Sequence, residues 1–225
     1  MDRMFRDRLE AGAALAEHLG AYAGRPDVLV LALPRGGVPV GYAVAHVLGV
    51  ALDIFLVRKL GLPGHTELAM GAIASGGVRV LNEAVVGDLF IPATVIDRVA
   101  QQEQEELDRR ERAYREGRSP LVVQGRTVIL VDDGIATGST MRAAALALRQ
   151  WQPARIIAGV PVAAASSWER LRADVDEAVC LFTPEWFSSV GYWYEDFSPT
   201  SDDEVRELLR RADRERLERN PPCDE

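Results

Sequence analysis

Val28 to Leu33 is an unbroken apolar run closed by Pro34-Arg35-Gly36-Gly37. A run this short, stopped by turn residues, predicts a strand buried on both faces. Val128 to Val131, Arg155 to Pro161 and Glu177 to Phe182 repeat the pattern, and Asp53 to Lys59 suits a further strand. Helical spacing falls between them. Phe5, Leu9, Ala13 and Ala16 mark a helix over 3–22, and 38–48, an alanine-rich 140–150, 164–173 and 201–217 also read as helices. Alternating strands and helices predict an α/β fold with a central, mostly parallel sheet flanked by helices. Ligands of such sheets bind beyond the carboxyl ends of the strands. The informative loops therefore start at Pro34, Lys59, Asp132, Pro161 and Thr183.

One stretch, about 60–120, breaks the alternation. Gly61-Leu62-Pro63-Gly64-His65 reads as a loop, and Leu68 to Ala74 with Val78 to Leu81 as a hairpin around Ser75-Gly76-Gly77. Pro92 fits the first turn of a long helix running to about Glu116. Its Gln101 to Arg115 portion is almost wholly polar, which predicts a solvated helix laced with acid–base neighbours. His65, Thr66 and Glu67 read as solvated loop residues with no catalytic role. The expectation is a single domain over 1–220 carrying this insertion, with Pro221-Pro222 opening a frayed tail, 221–225.

The length, 225 residues, is enough for one sizeable core without disulfide staples. Cys180 lies in an apolar run and Cys223 in a polar tail, which suits neither a disulfide framework nor a zinc cluster. The formal net charge of -8 argues against nucleic acid or an anionic membrane as partner. MDRMFRDRLE lacks the apolar core of a signal peptide, and the longest apolar run, Ile156 to Ala165, is too short to span a bilayer. These features predict a cytoplasmic protein. Of 26 basic residues only Lys59 is a lysine, and it sits at a predicted strand end beside Arg58.

The chemistry concentrates in Val128-Ile129-Leu130-Val131-Asp132-Asp133-Gly134-Ile135-Ala136-Thr137-Gly138-Ser139-Thr140. Two carboxylates at the end of a buried strand are costly unless something cationic or hydroxylated meets them. The Gly/Thr/Ser loop that follows opens a helix, whose free N–H groups and dipole suit a phosphate dianion. Acids for a diol beside a cradle for a phosphate would fit ribose 5-phosphate. No P-loop ending and no dinucleotide-binding glycine turn is present.

This stretch closely resembles the 5-phosphoribosyl-1-pyrophosphate (PRPP) motif of type I phosphoribosyltransferases, with fold resemblance over about 25–185. The resemblance implies a type I phosphoribosyltransferase-like core with a hood or flexible-loop insertion. By position, Asp132 and Asp133 meet the ribose hydroxyls, and Ala136, Thr137, Gly138, Ser139 and Thr140 hold the 5-phosphate. Arg35, Gly36 and Gly37 correspond to the pyrophosphate loop. Val57 to Gly64 looks like the strand end and mobile loop of the adenine-type branch, where an Arg at the Arg58 position reaches the pyrophosphate. Strand alternation turns Arg58 and Lys59 to opposite faces, so Arg58 is the first choice and Lys59 the second.

After the last strand, Pro184 to Asp196 is similar to the base-stacking segment of hypoxanthine/guanine-type enzymes. Trp186 or Phe187 would stack on a planar acceptor, and Glu195 falls at a metal-linked acid; the competing reading is an aromatic cluster packed under the C-terminal helix. Two departures stand out. Ala136 replaces that branch's acid, and the Ile156 to Val162 strand lacks its purine-reading Lys. The activity implied is Mg2+-dependent transfer of the ribose 5-phosphate of PRPP to a nitrogen of a nucleobase or similar acceptor, releasing pyrophosphate, with Asp132, Asp133 and Arg58 as the catalytic set. A loop near 60–76 would close over the site. The alternative is a PRPP- or nucleotide-sensing regulator on the same fold. The resemblance leaves a homodimer open.

Overall fold

The structure is a computed structural model that describes residues 5–63, 65–115 and 117–219, without the side chains of 65–68. The readings of Gly64, of the His65, Thr66 and Glu67 side chains, of Cys223 and of the tail 221–225 lie outside the described residues.

Five strands form one wholly parallel sheet: β1 (Val28–Ala32), β2 (Ala51–Ile54), β6 (Thr127–Val131), β7 (Arg155–Val162) and β8 (Glu177–Phe182), in the order β2-β1-β6-β7-β8. Alternate residues feed two cores. Val28, Val30, Ala32, Ile129 and Val131 face α1 (Arg8–His18), α2 (Gly37–Leu48) and α7 (Asp202–Arg219). Leu29, Leu31, Val128 and Leu130 face α5 (Ser139–Arg149) and α6 (Ala165–Arg172). Burial on both faces is what the continuous apolar runs demand.

The first helix is shorter than its periodicity suggests. Asp7 caps α1 by accepting from the Glu10 N–H at 2.8 Å. After His18 the chain tightens into a 3-10 turn, Gly20–Tyr22. Phe5, expected within the helix, instead bridges to Tyr194.

The second apolar run, read as one strand from Asp53 to Lys59, is two strands in two sheets. β2 ends at Ile54, and β3 (Val57–Leu62) belongs to an antiparallel sheet with β4 (His65–Ala74) and β5 (Val78–Leu81). The break is a change of hydrogen-bond partner. Phe55 still donates its N–H to Ala32 of the parallel sheet, whereas the Leu56 N–H goes to the Ser75 hydroxyl at 3.1 Å. Apolarity alone carries no record of such a change. Gly61, Leu62 and His65, expected in a loop, pair within the β3–β4 ladder, which absorbs them through register shifts at Gly61. The β4–β5 hairpin forms as expected.

α3 (Glu83–Asp88) follows, then α4 (Ala93–Arg115) just after Pro92. The solvated reading of Gln101 to Arg115 holds on one side of α4, where Gln101, Gln102, Glu105, Asp108, Arg109 and Arg112 are exposed and Glu106 pairs with Arg109 and Arg110, but not on the other. Ile96, Ala100, Leu107 and Tyr114 are buried and form one stripe at helical spacing. The stripe packs into the same core as Leu60, Met70 and Ile73 of the antiparallel sheet. α4 stays in place through the buried Asp53, which accepts from Arg115 at 2.9 and 3.2 Å. Among the described residues, no helix is long and apolar enough to cross a membrane.

Candidate functional site

The carboxyl ends of β1 and β6 lie side by side, because Ala32 pairs with Val131. Two loops therefore leave the sheet together: Pro34-Arg35-Gly36-Gly37 and Asp132 through Thr140. The Pro34–Arg35 peptide bond is cis. The loops are close-packed. A Cβ on Gly36 would lie 2.0 Å from an Asp133 carboxylate oxygen, and one on Gly37 would lie 2.9 Å from the Asp132 Cα. Only glycine permits this approach. The expected pyrophosphate loop thus forms one rim with the expected ribose acids.

Asp133 is held from two directions. Arg8 of α1 donates to its carboxylate at 2.8 Å, and the Tyr194 hydroxyl donates to its backbone carbonyl at 2.6 Å. Arg8 in turn donates to the Ser198 carbonyl and lies over the Phe197 ring, 3.9 Å from the centroid. Asp132 has no such cation within bonding distance among the described residues. Burial, reinforced by the neighbouring Asp133 charge, pushes its carboxyl well above the usual range. Burial raises Asp133 as well, against the opposing pull of Arg8. A pair in this state gains from hydroxyl donors or an incoming cation.

Beyond the acids, Ile135 is pinned to the end of β7: its N–H donates to Val162 and its carbonyl accepts from Ala164. Gly138 then takes the left-handed conformation (φ 76°) and starts α5 without a side-chain cap. Ala136, Thr137, Ser139 and Thr140 are exposed around it, and the Thr137 and Ser139 hydroxyls are 3.0 Å apart. The Ser139 N–H leans on the Thr137 hydroxyl at 3.4 Å, and the remaining N–H groups and hydroxyls of this helix start have the character that suits an anion.

The expected cations separate as strand alternation requires. Arg58 lines a small cleft with Leu33, Pro34, Leu107, Arg110 and Thr140, so the expected pyrophosphate loop, the strand-end cation and the expected phosphate loop each send a residue there. In this cleft Arg58 donates to Glu103 of α4 at 2.6 Å. Lys59 is exposed and faces a different cleft of about 380 Å³, between the antiparallel sheet and α5, where Ser139 and Thr140 form the far wall. Arg35 is half-exposed and lies 3.6 Å from Asp202, which also accepts from the Tyr114 hydroxyl at 2.6 Å.

The aromatic segment divides. Trp186 is 85% exposed, while Phe187 packs with Phe5, Trp193 and Tyr194. That cluster lies against α1 and Val162, not under the C-terminal helix as the competing reading had it. Glu195 is exposed, with its N–H donating to the Phe5 carbonyl. Among the described residues, no group of three or more His, Cys, Asp or Glu side chains is arranged to hold a metal.

Sequence reasoning missed Arg8, Tyr194, Glu103 and Arg110. The sequence signals nothing for Arg8 and Tyr194, which reach Asp133 from 125 and 61 positions away. For Glu103 and Arg110 a signal existed: both share a helical face with Leu107 and Tyr114.

A family model described as a phosphoribosyl transferase domain matches residues 6–195. Two curated relatives come from Mycobacterium tuberculosis, strains CDC 1551 and H37Rv, and are provisionally named phosphoribosyl transferases. Each is 44% identical over 213 residues, 95% of this chain. The chain spans about half the length of these relatives (48%). The solved structure of TT1426 from Thermus thermophilus is 42% identical, with 92% of this chain and 97% of that chain covered at a TM-score of 0.84.

Proposed function

Because the chain belongs to the phosphoribosyl transferase domain family, we propose that it transfers the ribose 5-phosphate of PRPP to a nitrogen of a nucleobase or similar acceptor, with magnesium. The observation that carries this reading is the shared rim, in which Gly36 and Gly37 approach Asp133 and Asp132 too closely for any side chain to intervene. A substrate bridging that rim meets pyrophosphate donors, diol acceptors and a phosphate cradle in one pass.

This reading gives each group of the rim a role that its geometry supports. The helix start at Gly138 to Thr140, with Thr137, takes the 5-phosphate. Asp132 and Asp133 accept from the ribose hydroxyls, which relieves the cost of their burial. Arg35 and Arg58 face the pyrophosphate end and stabilise the charge that develops as the C1–oxygen bond breaks. The acceptor nitrogen bonds to C1, pyrophosphate leaves with the electron pair, and the acceptor sheds its proton. Trp186 is an exposed ring of the segment after β8 that could stack on the acceptor. The residues fit a magnesium ion carried by the substrate: the acids of the rim number two, and magnesium commonly takes one or two carboxylates and completes its shell with phosphates and water. When bound, it supplies charge neutralisation at the pyrophosphate oxygens.

The test is pyrophosphate release from PRPP with magnesium over a panel of purine, pyrimidine and amine acceptors, alongside PRPP titration. Turnover with one acceptor supports the reading. The Asp132→Asn/Asp133→Asn double variant should lose PRPP binding, and unchanged binding would sink the assignment. Magnesium-dependent PRPP binding with no acceptor turned over would favour the sensing role instead.

A further inference from the structure

The stripe Glu103, Leu107, Arg110 and Tyr114 runs along the face of α4 turned to the sheet. Each polar member meets the expected pyrophosphate end. Glu103 holds Arg58 at 2.6 Å, and Tyr114 holds Asp202, the carboxylate beside Arg35. Leu107 is fully buried and anchors the stripe. Arg110, between them, lines the small cleft shared by Leu33, Pro34, Arg58 and Thr140.

The charge balance there is uneven. Arg58 is matched by Glu103, and Arg35 by Asp202. Glu106 is shared: Arg109 and Arg110 each lie 2.7 Å from it. Two guanidinium groups on one carboxylate leave a surplus positive charge, and Arg110 is the member lining the cleft. Asp202 also feels Arg109 and Arg110, but with Arg35 already beside it the four arginines still outnumber Glu103, Glu106 and Asp202 by one, where a pyrophosphate would bring negative charge.

We propose that Arg110 is a further pyrophosphate-binding residue, supplied by the inserted helix α4 and absent from the motif that carries the family resemblance. The proposal rests on the PRPP reading. Its guanidinium offers a second donor edge once Glu106 takes the first, which suits a multivalent phosphate. The insertion thereby takes part in substrate binding, where the sequence alone presents α4 as solvated scaffolding.

Calorimetric titration of wild type, Arg110→Gln, Arg110→Lys and Arg112→Gln with PRPP and magnesium, with pyrophosphate and magnesium, and with ribose 5-phosphate tests it. Arg112 lies on the exposed face of the same helix and controls for charge. Arg110→Gln should weaken PRPP and pyrophosphate about ten-fold or more while leaving ribose 5-phosphate unchanged. Arg110→Lys should recover part of the loss, and Arg112→Gln should behave as wild type. Affinities for PRPP and pyrophosphate within about two-fold of wild type in Arg110→Gln would overturn the proposal alone. So would a parallel loss of ribose 5-phosphate, which marks general damage. Failure of the wild type to bind any of the three overturns the proposal together with the PRPP reading.

Discussion

Replacing Gly36 by Ala should be expensive for a reason that lies entirely in its neighbour. The backbone there has φ -61° and ψ -32°, which any residue adopts. The added Cβ, however, would sit 2.0 Å from an Asp133 carboxylate oxygen and 2.8 Å from its Cγ. Non-bonded heavy atoms rest at about 3.5–4 Å, so the carboxylate must withdraw by roughly 1.5 Å. That shift breaks the 2.8 Å bond from Arg8. Overpacking costs about 1–3 kcal/mol and the lost charge-assisted bond adds more, for a total of roughly 2–4 kcal/mol. Urea unfolding of the wild type, Gly36→Ala, Asp133→Ala and the double variant isolates the clash. With the carboxylate removed, Gly36→Ala should cost under about 0.5 kcal/mol, giving a coupling of about 2 kcal/mol. An equal cost of Gly36→Ala in both backgrounds would refute the close approach.

Asp132→Asn should stabilise the protein while abolishing PRPP binding. The folded carboxyl titrates above its unfolded value, so its favourable contribution exists below about pH 3.9 and is lost as pH rises through the folded value. The gain in Tm should therefore be present at neutral pH and vanish toward about pH 4; a gain that persists in acid contradicts the burial argument. Arg115→Ala strips the buried Asp53 of its main partner and should cost about 3 kcal/mol in urea unfolding; a loss below about 0.5 kcal/mol would show that Arg118, 3.7 Å away, suffices. Trp186→Ala should raise the KM for the acceptor and leave stability within about 0.5 kcal/mol, and an unchanged KM would remove Trp186 from the acceptor site.

The parts of the site that were legible are local ones. Asp132 to Thr140 announces itself because strand, acids, turn and helix start follow one another along the chain, and each has its own chemical signature. The glycines of the Pro34 loop were legible as anion donors, but their steric necessity was not, since it depends on β1 and β6 pairing across some hundred intervening positions. Arg8 was one arginine among 25, and nothing near it in sequence points to Asp133. The polar surface of α4 concealed its role because a helix that binds charged partners and one that faces water have similar compositions. The hairpin of β3 and β4 was obscured by Gly61 and Pro63, residues that usually mark loops.

Arg8 and Tyr194, the two groups that hold Asp133, come from nearly opposite parts of the described chain, and Phe5 bridges directly to Tyr194. On the ribosome, synthesis is vectorial, at about 5–20 residues per second. The acid pair emerges with β6, whereas Tyr194 follows some sixty positions later, after β7 and β8. Until then Phe5 has no seat and the carbonyl of Asp133 lacks its hydroxyl donor. The binding rim is thus completed only when the segment after β8 has been made, and a nascent chain stalled before it carries both carboxylates but not the full clasp that fixes them.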